Sequence, residues 1–180
     1  MKRRVFVNLA TFTPLIACCA TLNASADKPT IFLPETSRVY DIGLGEARIL
    51  VGEEQSAGAW WLGSFRNDPG RRTPLHVHHS ADEQFYSLEG VVSIWVDGSW
   101  HDLPPGGLAV IPRGTPHALG NRTKQPVHFL NSGNPAGFER YFADLQAILR
   151  RSTYGSPEFL SASMKIFKNY DSEMLGAPPQ

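Results

Sequence analysis

Between Arg38 and about Ser132, apolar residues fall in short, often alternating runs separated by glycine, proline and aspartate, the pattern of a strand-rich sandwich or barrel. The clearest runs are 47–51, 59–65, 75–78, 84–88, 91–96, 108–111 and 127–130. Asp97-Gly98 marks a hairpin, whereas Leu103-Pro-Pro-Gly-Gly107 and Pro112-Arg-Gly-Thr-Pro116 mark turns. After Asn134-Pro-Ala-Gly137 the period lengthens. Phe138, Tyr141, Phe142, Leu145, Ile148 and Leu149 make one helical stripe suited to packing on the barrel. Ser156-Pro157-Glu158 opens a second helix: Ser caps it, Pro occupies its first turn, and Glu sits near its positive end. Phe159, Leu160, Ser163, Met164 and Phe167 are its expected buried face.

The expected organisation is a leader over 1–26, an extension with an edge strand over 27–42, a barrel over 43–135 and a helical segment over 136–180. Lys2-Arg-Arg4, an apolar stretch from Val5 to Leu22 and the small residues Ala24-Ser-Ala26 have the order of an export signal, with cleavage before Asp27. The stretch is too short and too interrupted for a membrane span. A periplasmic or secreted protein follows. Arg3-Arg-Val-Phe-Val7 partly resembles a twin-arginine signal. Leu15-Ile-Ala-Cys18 resembles a lipoprotein box, so the alternative is a domain anchored through a lipid on Cys18. Cys18 and Cys19 are the only cysteines. The region after the leader therefore has neither disulfide nor thiolate ligand, which leaves metal chemistry to nitrogen and oxygen.

The 180 residues, 42% of them hydrophobic, suffice for one domain with a substantial core. Seventeen basic residues balance seventeen acidic ones, which gives no electrostatic case for nucleic acid as a partner. A homodimer is left open.

Two segments carry the chemistry. The first reads Gly70-x5-His76-x-His78-x4-Glu83-x6-Gly90, and the second Gly106-x5-Pro112-x-Gly114-x2-His117-x3-Asn121. Residues two apart on a strand share a face, so His76 and His78 stand side by side, about 6.6 Å apart along the backbone. With Glu83 and His117 they offer one divalent ion three imidazoles and a carboxylate. His79 points the other way. His101 is expected at the surface, and the inward face of the strand carrying His128 is open.

The paired segments resemble the two motifs of the cupin superfamily, over roughly 43–145. The phrases Asp82-Glu-Gln-Phe-Tyr86, Leu88-Glu-Gly90, Pro112-Arg-Gly-Thr-Pro-His117, Asn134-Pro-Ala-Gly-Phe-Glu139 and Leu175-Gly-Ala-Pro-Pro179 are similar to small single-barrel bacterial cupins related to quercetin 2,3-dioxygenase. The resemblance implies an all-β fold, the cupin double-stranded β-helix or jelly-roll barrel, here with two C-terminal helices. It also implies one divalent transition metal (Fe, Mn, Ni, Co, Cu or Zn) on His76, His78, Glu83 and His117, with Glu83 as catalytic base.

With three neutral imidazoles and one carboxylate, a six-coordinate divalent ion keeps a net positive charge and about two open positions. Such a centre suits a dioxygenase acting on a small phenolic or enolic molecule. A metal-dependent isomerase, lyase or cyclase and a non-catalytic small-molecule-binding module are the alternatives. Strand alternation places Phe85 and Ser87 beside Glu83 and Leu119 beside His117, so these three and Trp95 are the expected substrate contacts. Trp60, Trp61, Phe65 and Phe129 are further candidates for an aromatic wall. Arg71, Arg72 and Arg113 are candidates for the barrel mouth.

Overall fold

The computed structural model describes residues 31 and 33–180. The predicted leader, its cleavage site and both cysteines lie outside them. Among the described residues no helix is long and apolar enough to cross a membrane. The strands are β1 (Arg38–Asp41), β2 (Gly45–Val51), β3 (Trp61–Asn67), β4 (Leu75–His78), β5 (Asp82–Glu89), β6 (Val92–Val96), β7 (Ser99–Leu103), β8 (Leu108–Ile111), β9 (Ala118–Gly120), β10 (Val127–Asn134) and β11 (Ser172–Gly176). The helices are α1 (Glu53–Ser56), α2 (Tyr141–Leu149), preceded by a 3-10 turn (Phe138–Arg140), and α3 (Pro157–Phe167).

One antiparallel sheet runs β1-β2-β3-β10-β5-β8, with β1 at its edge. Facing it, β11-β4 and β9-β6-β7 are stitched together by bridges between Arg72 and Gly120 and between His76 and His117. This is the cupin double-stranded β-helix. Alternation decides its interior. On β3 Trp61, Phe65 and Asn67 are buried, on β5 Glu83, Phe85 and Ser87, and on β10 Val127, Phe129 and Asn131. Phe65 stacks on Phe129 with centroids 5.4 Å apart. Burying one such ring contributes roughly 1.5–3 kcal/mol. Gly133 makes room for this packing, since a Cβ there would strike the Trp61 indole.

The helices close one side of the barrel. Tyr141, Phe142 and Leu145 of α2 are buried, and Trp61 meets Phe142 edge-on at 6.0 Å. α3 starts where expected, with the Ser156 hydroxyl accepting from the Phe159 amide at 3.2 Å. Its buried row is Phe159, Ser163 and Phe167, spaced by four, whereas Leu160 and Met164 are one position round the helix and exposed.

Two further strands lie outside the clearest runs of the sequence, the first of them the second arm of the expected hairpin. The segment after Asp97-Gly98 is β7, paired with β6, because both turn residues take positive φ and reverse the chain sharply. β11 lies in the segment read as helical and pairs with β4, setting Ser172 opposite His78 and Met174 opposite His76.

Candidate metal centre

The centre is built where β4, β5 and the turn before β9 meet. His76 and His78 are carried on β4, which is held on one side by β11 and on the other by the segment ending in His117. His76 and His117 exchange both backbone hydrogen bonds at 2.9 Å, and the Gly114 amide donates to the His78 carbonyl at 2.7 Å. Gly114 has φ +76°, a left-handed conformation that keeps the proline-flanked turn tight against β4. Glu83 faces them from β5. All four side chains are buried, and one potential ligand atom from each lies within 4.8 Å of the others.

The hydrogen bonds fix which histidine nitrogen points inward. Nδ1 of His76 meets the Pro74 carbonyl at 2.9 Å and Nδ1 of His117 meets the Thr115 carbonyl at 2.9 Å. A carbonyl only accepts, so both Nδ1 atoms carry the proton. Nδ1 of His78 lies 2.7 Å from the Ser172 hydroxyl, which itself donates to the Tyr170 carbonyl at 2.8 Å. That hydroxyl has one proton and has used it, so it accepts from His78. In the neutral imidazoles all three Nε2 atoms therefore present lone pairs.

Two of them meet a carboxylate oxygen. Glu83 Oε2 is 2.8 Å from Nε2 of His117 and 3.3 Å from Nε2 of His78, which makes no hydrogen bond among the described residues. Glu83 Oε1 accepts from Asn131 Nδ2 at 3.0 Å. Lone pairs and a carboxylate gathered in a buried site repel unless a positive charge sits among them. A proton on His117 can supply it, and so can a divalent cation. Nitrogen and oxygen donors without thiolate suit a transition metal with imidazole and carboxylate preference. Backbone and hydroxyl partners on every Nδ1 are the orienting shell that metal-bound histidines have.

Burial alone would raise the Glu83 carboxyl, but the charge of His78 and the hydrogen bond from His117 overcome it and hold Glu83 well below the usual range. Burial also opposes protonation of His117, yet the Glu83 hydrogen bond and charge raise it. His76 is pushed well below its usual value, first by burial and then by His117 and His78. These directions set a pH dependence. The lowered Glu83 contributes stability above its unfolded value near 4.5, lost as pH falls through the folded value. The raised His117 contributes stability in full below 6.5, lost as pH rises through its folded value. The lowered His76 favours folding toward 6.5 and above, since its unfolded form takes up the proton first. Metal-free protein is therefore expected to be most stable near the upper end of the window between 4.5 and 6.5. Metal-loaded protein should keep gaining stability above that window, because the ion displaces the His117 proton. Melting temperature against pH for both forms checks this; superimposable curves would contradict it.

Ser172 is a contact that sequence reading did not assign. Ser172→Ala removes the acceptor for His78 Nδ1–H and should weaken metal affinity by about 10–100-fold, the range for loss of an orienting partner. Competition dialysis against a chelator measures it, and unchanged affinity would show that β11 positions nothing.

An apolar cavity of about 90 Å³ opens on the centre. His76, Glu83 and Asn131 form its polar end, and Phe65, Phe85, Leu119 and Phe129 belong to its walls. From the helical side Phe138 packs edge-on against His78 with centroids 4.4 Å apart, and Phe167 against His76 at 5.6 Å. Of the expected substrate contacts, Phe85 and Leu119 line this cavity, but Ser87 and Trp95 do not. Ser87 points inward beyond Phe85, where its hydroxyl donates to the Gly90 carbonyl at 3.1 Å. Trp95 is half-buried and lies on the face opposite Val92 and Ile94, the buried apolar residues of β6. Trp60 is exposed, and Trp61 packs in the core without lining the cavity. His128 faces away from the cavity and bonds Ser64 at 2.7 Å. His79 is exposed beside Glu173, and His101 is exposed beside Ser99. Arg113 pairs with Asp82 through both oxygens, and Arg72 donates to the Pro179 carbonyl. Arg71 does not line the cavity either.

The fold is the cupin double-stranded β-helix, and comparison with known proteins agrees. Residues 64–133 match the family model for the cupin domain. The chain is 32% identical over 110 residues to quercetin 2,3-dioxygenase of Bacillus subtilis, a match covering 57% of this chain and 32% of that protein. It is 32% identical over 66 residues to an uncharacterised protein of Methanocaldococcus jannaschii, covering 37% of this chain and 53% of that one. The chain thus spans about a third and about half of these two relatives. Among solved structures, KdgF from Halomonas sp. superposes with a TM-score of 0.56 at 17% identity, covering 63% of this chain and 99% of that one. An RmlC-like cupin from Shewanella frigidimarina gives 0.53 at 19%, covering 63% and 96%. Residues 64–133 therefore form a cupin domain, and the low-identity structures show the fold alone.

Proposed function

We propose that the protein is a metal-dependent dioxygenase acting on a small phenolic or enolic molecule. The observation that carries this reading is the position of Glu83. One of its oxygens is held by Asn131, the other lies against Nε2 of His117 and of His78, and Glu83 with His76 ends an aromatic cavity. Nε2 of His76, His78 and His117 and Oε2 of Glu83 would hold the metal. A bound divalent ion supplies polarisation of a substrate oxygen and, for a redox-active metal, access to dioxygen. Glu83, ionised across the neutral range, accepts the proton of the substrate hydroxyl, while Asn131 keeps its carboxylate turned toward that hydroxyl. Phe65, Phe85 and Phe129 exclude water and offer ring faces and edges to an aromatic substrate.

The match to quercetin 2,3-dioxygenase supports the reaction class. The cavity limits the substrate: about 90 Å³ is well below the ~300–1,000 Å³ of pockets for drug-sized ligands, which favours one ring over several. Among the described residues no lysine or arginine lines it, which disfavours phosphorylated substrates. Metal analysis joined to oxygen uptake over a panel of phenols and enols tests the reading. Metal-dependent oxygen consumption supports it, whereas anaerobic turnover or binding without conversion would replace it.

A further inference from the structure

Asn67 stands apart from every other polar group in the barrel. It is 1% exposed, and neither its Oδ1 nor its Nδ2 has a hydrogen-bond partner among the described residues. Its backbone is fully engaged in the fold: the Asn67 carbonyl accepts from Asn121 Nδ2 at 3.0 Å, and β3 pairs it with Gly45 and Val127. Its side chain follows the inward phase of Trp61 and Phe65 and lines the same cavity as Glu83.

Strand register puts Asn67 far from the ligands. Glu83 is level with Gly133 and Trp61 at one end of β3, and Asn67 closes the other end, level with Val127. A cavity of about 90 Å³ that reaches both is narrow. The residues between them are mostly apolar: Phe65, Phe85, Leu119 and Phe129. Thr73 is also there, but its hydroxyl already donates to the Leu119 carbonyl and accepts from the Leu119 amide.

A buried carboxamide with donor and acceptor both unmet opposes folding, and a ligand that satisfies both gains what the fold leaves unmade. We propose that Asn67 is the distal specificity residue of the cavity, receiving a neutral hydroxyl on the far arm of a single-ring substrate whose other end meets the metal. A hydroxyl suits it because one oxygen donates to Oδ1 and accepts from Nδ2. A carboxylate does not: it would be buried with no lysine or arginine among the lining residues. This rests on the reading above of a phenolic substrate at the metal.

Three catechols that differ only in the arm separate the two claims: 4-(2-hydroxyethyl)catechol, 4-ethylcatechol and 3,4-dihydroxyphenylacetate. Binding to zinc-loaded full-length protein is followed by calorimetry without oxygen. The hydroxyethyl compound is expected to bind about tenfold more tightly than the ethyl compound, the value of about one buried hydrogen bond, and the carboxylate most weakly. Asn67→Leu should erase or reverse the first preference while leaving ethylcatechol bound. Equal affinities for the hydroxyethyl and ethyl compounds in wild type, or a preference that survives Asn67→Leu, would overturn the role of Asn67 and leave metal chelation standing. Binding of no catechol would overturn both. The melting temperatures of ligand-free Asn67→Leu and Asn67→Ala add a readout independent of ligand. A value for Asn67→Leu at or above wild type supports a carboxamide kept for a ligand, and a fall in both variants shows that Asn67 serves the fold.

Discussion

The His117→Ala protein is expected to lose metal retention almost completely and, with it, much of the metal-linked stability. His117 is the one candidate ligand supplied by the second motif, and it is 1% exposed. Without it two imidazoles and a carboxylate remain, along with a gap beside Glu83 Oε2. An ion present at a thousand times its dissociation constant stabilises the native state by about 4 kcal/mol. For a domain of this size, its loss lowers the melting temperature by on the order of 10 °C. His101→Ala, at an exposed residue, should change neither metal content nor melting temperature. Metal content by elemental analysis and thermal denaturation with and without added ion give the comparison. Full occupancy in the His117→Ala protein would remove the second motif from the centre.

Glu83→Gln separates holding a metal from using it. The amide keeps the shape and one carbonyl oxygen but loses the charge and the ability to accept a proton. Metal retention should fall less than in His117→Ala, while turnover at equal metal occupancy should fall by about 10²–10⁴-fold, the usual contribution of a positioned base. Asn131→Leu should act in the same direction and more weakly, since it frees Glu83 Oε1 without removing the base. Metal content and steady-state rate must come from one preparation. A Glu83→Gln protein as active as wild type would reduce Glu83 to a charge-balancing ligand.

Motif spacing made the clustering of the four candidate ligands legible because it depends on local periodicity. His76 and His78 share a face two residues apart, and Glu83 shares one with Phe85, whatever the rest of the chain does. The residues that tune the set were not legible. Asn131 needs the phase of β10, and the apolar residues 127–130 do not fix it because both faces of that strand carry one. The same ambiguity misplaced Trp95, although Ser93, on its side of β6, was a hint that this face is not the apolar interior. Ser172 was invisible for another reason: Ser-Glu-Met-Leu-Gly has no strand periodicity, and it becomes β11 because β4 offers an edge. Asn67, a single polar residue closing the apolar run of β3, reads equally well as the start of the turn at Asp68-Pro69-Gly70.

The hydrogen bond from His78 to Ser172 spans 94 positions of the chain. Contacts this distant in sequence incur their loop-closure entropy before they return any stability, so they form late. The β6–β7 hairpin, closed by two residues, can form early. The centre is thus completed late, after the segment carrying both helices has emerged from the ribosome and docked. Until then His76 and His78 sit on a strand with an open edge, and the order of folding rather than the availability of ligands sets when the nascent chain can first hold an ion tightly.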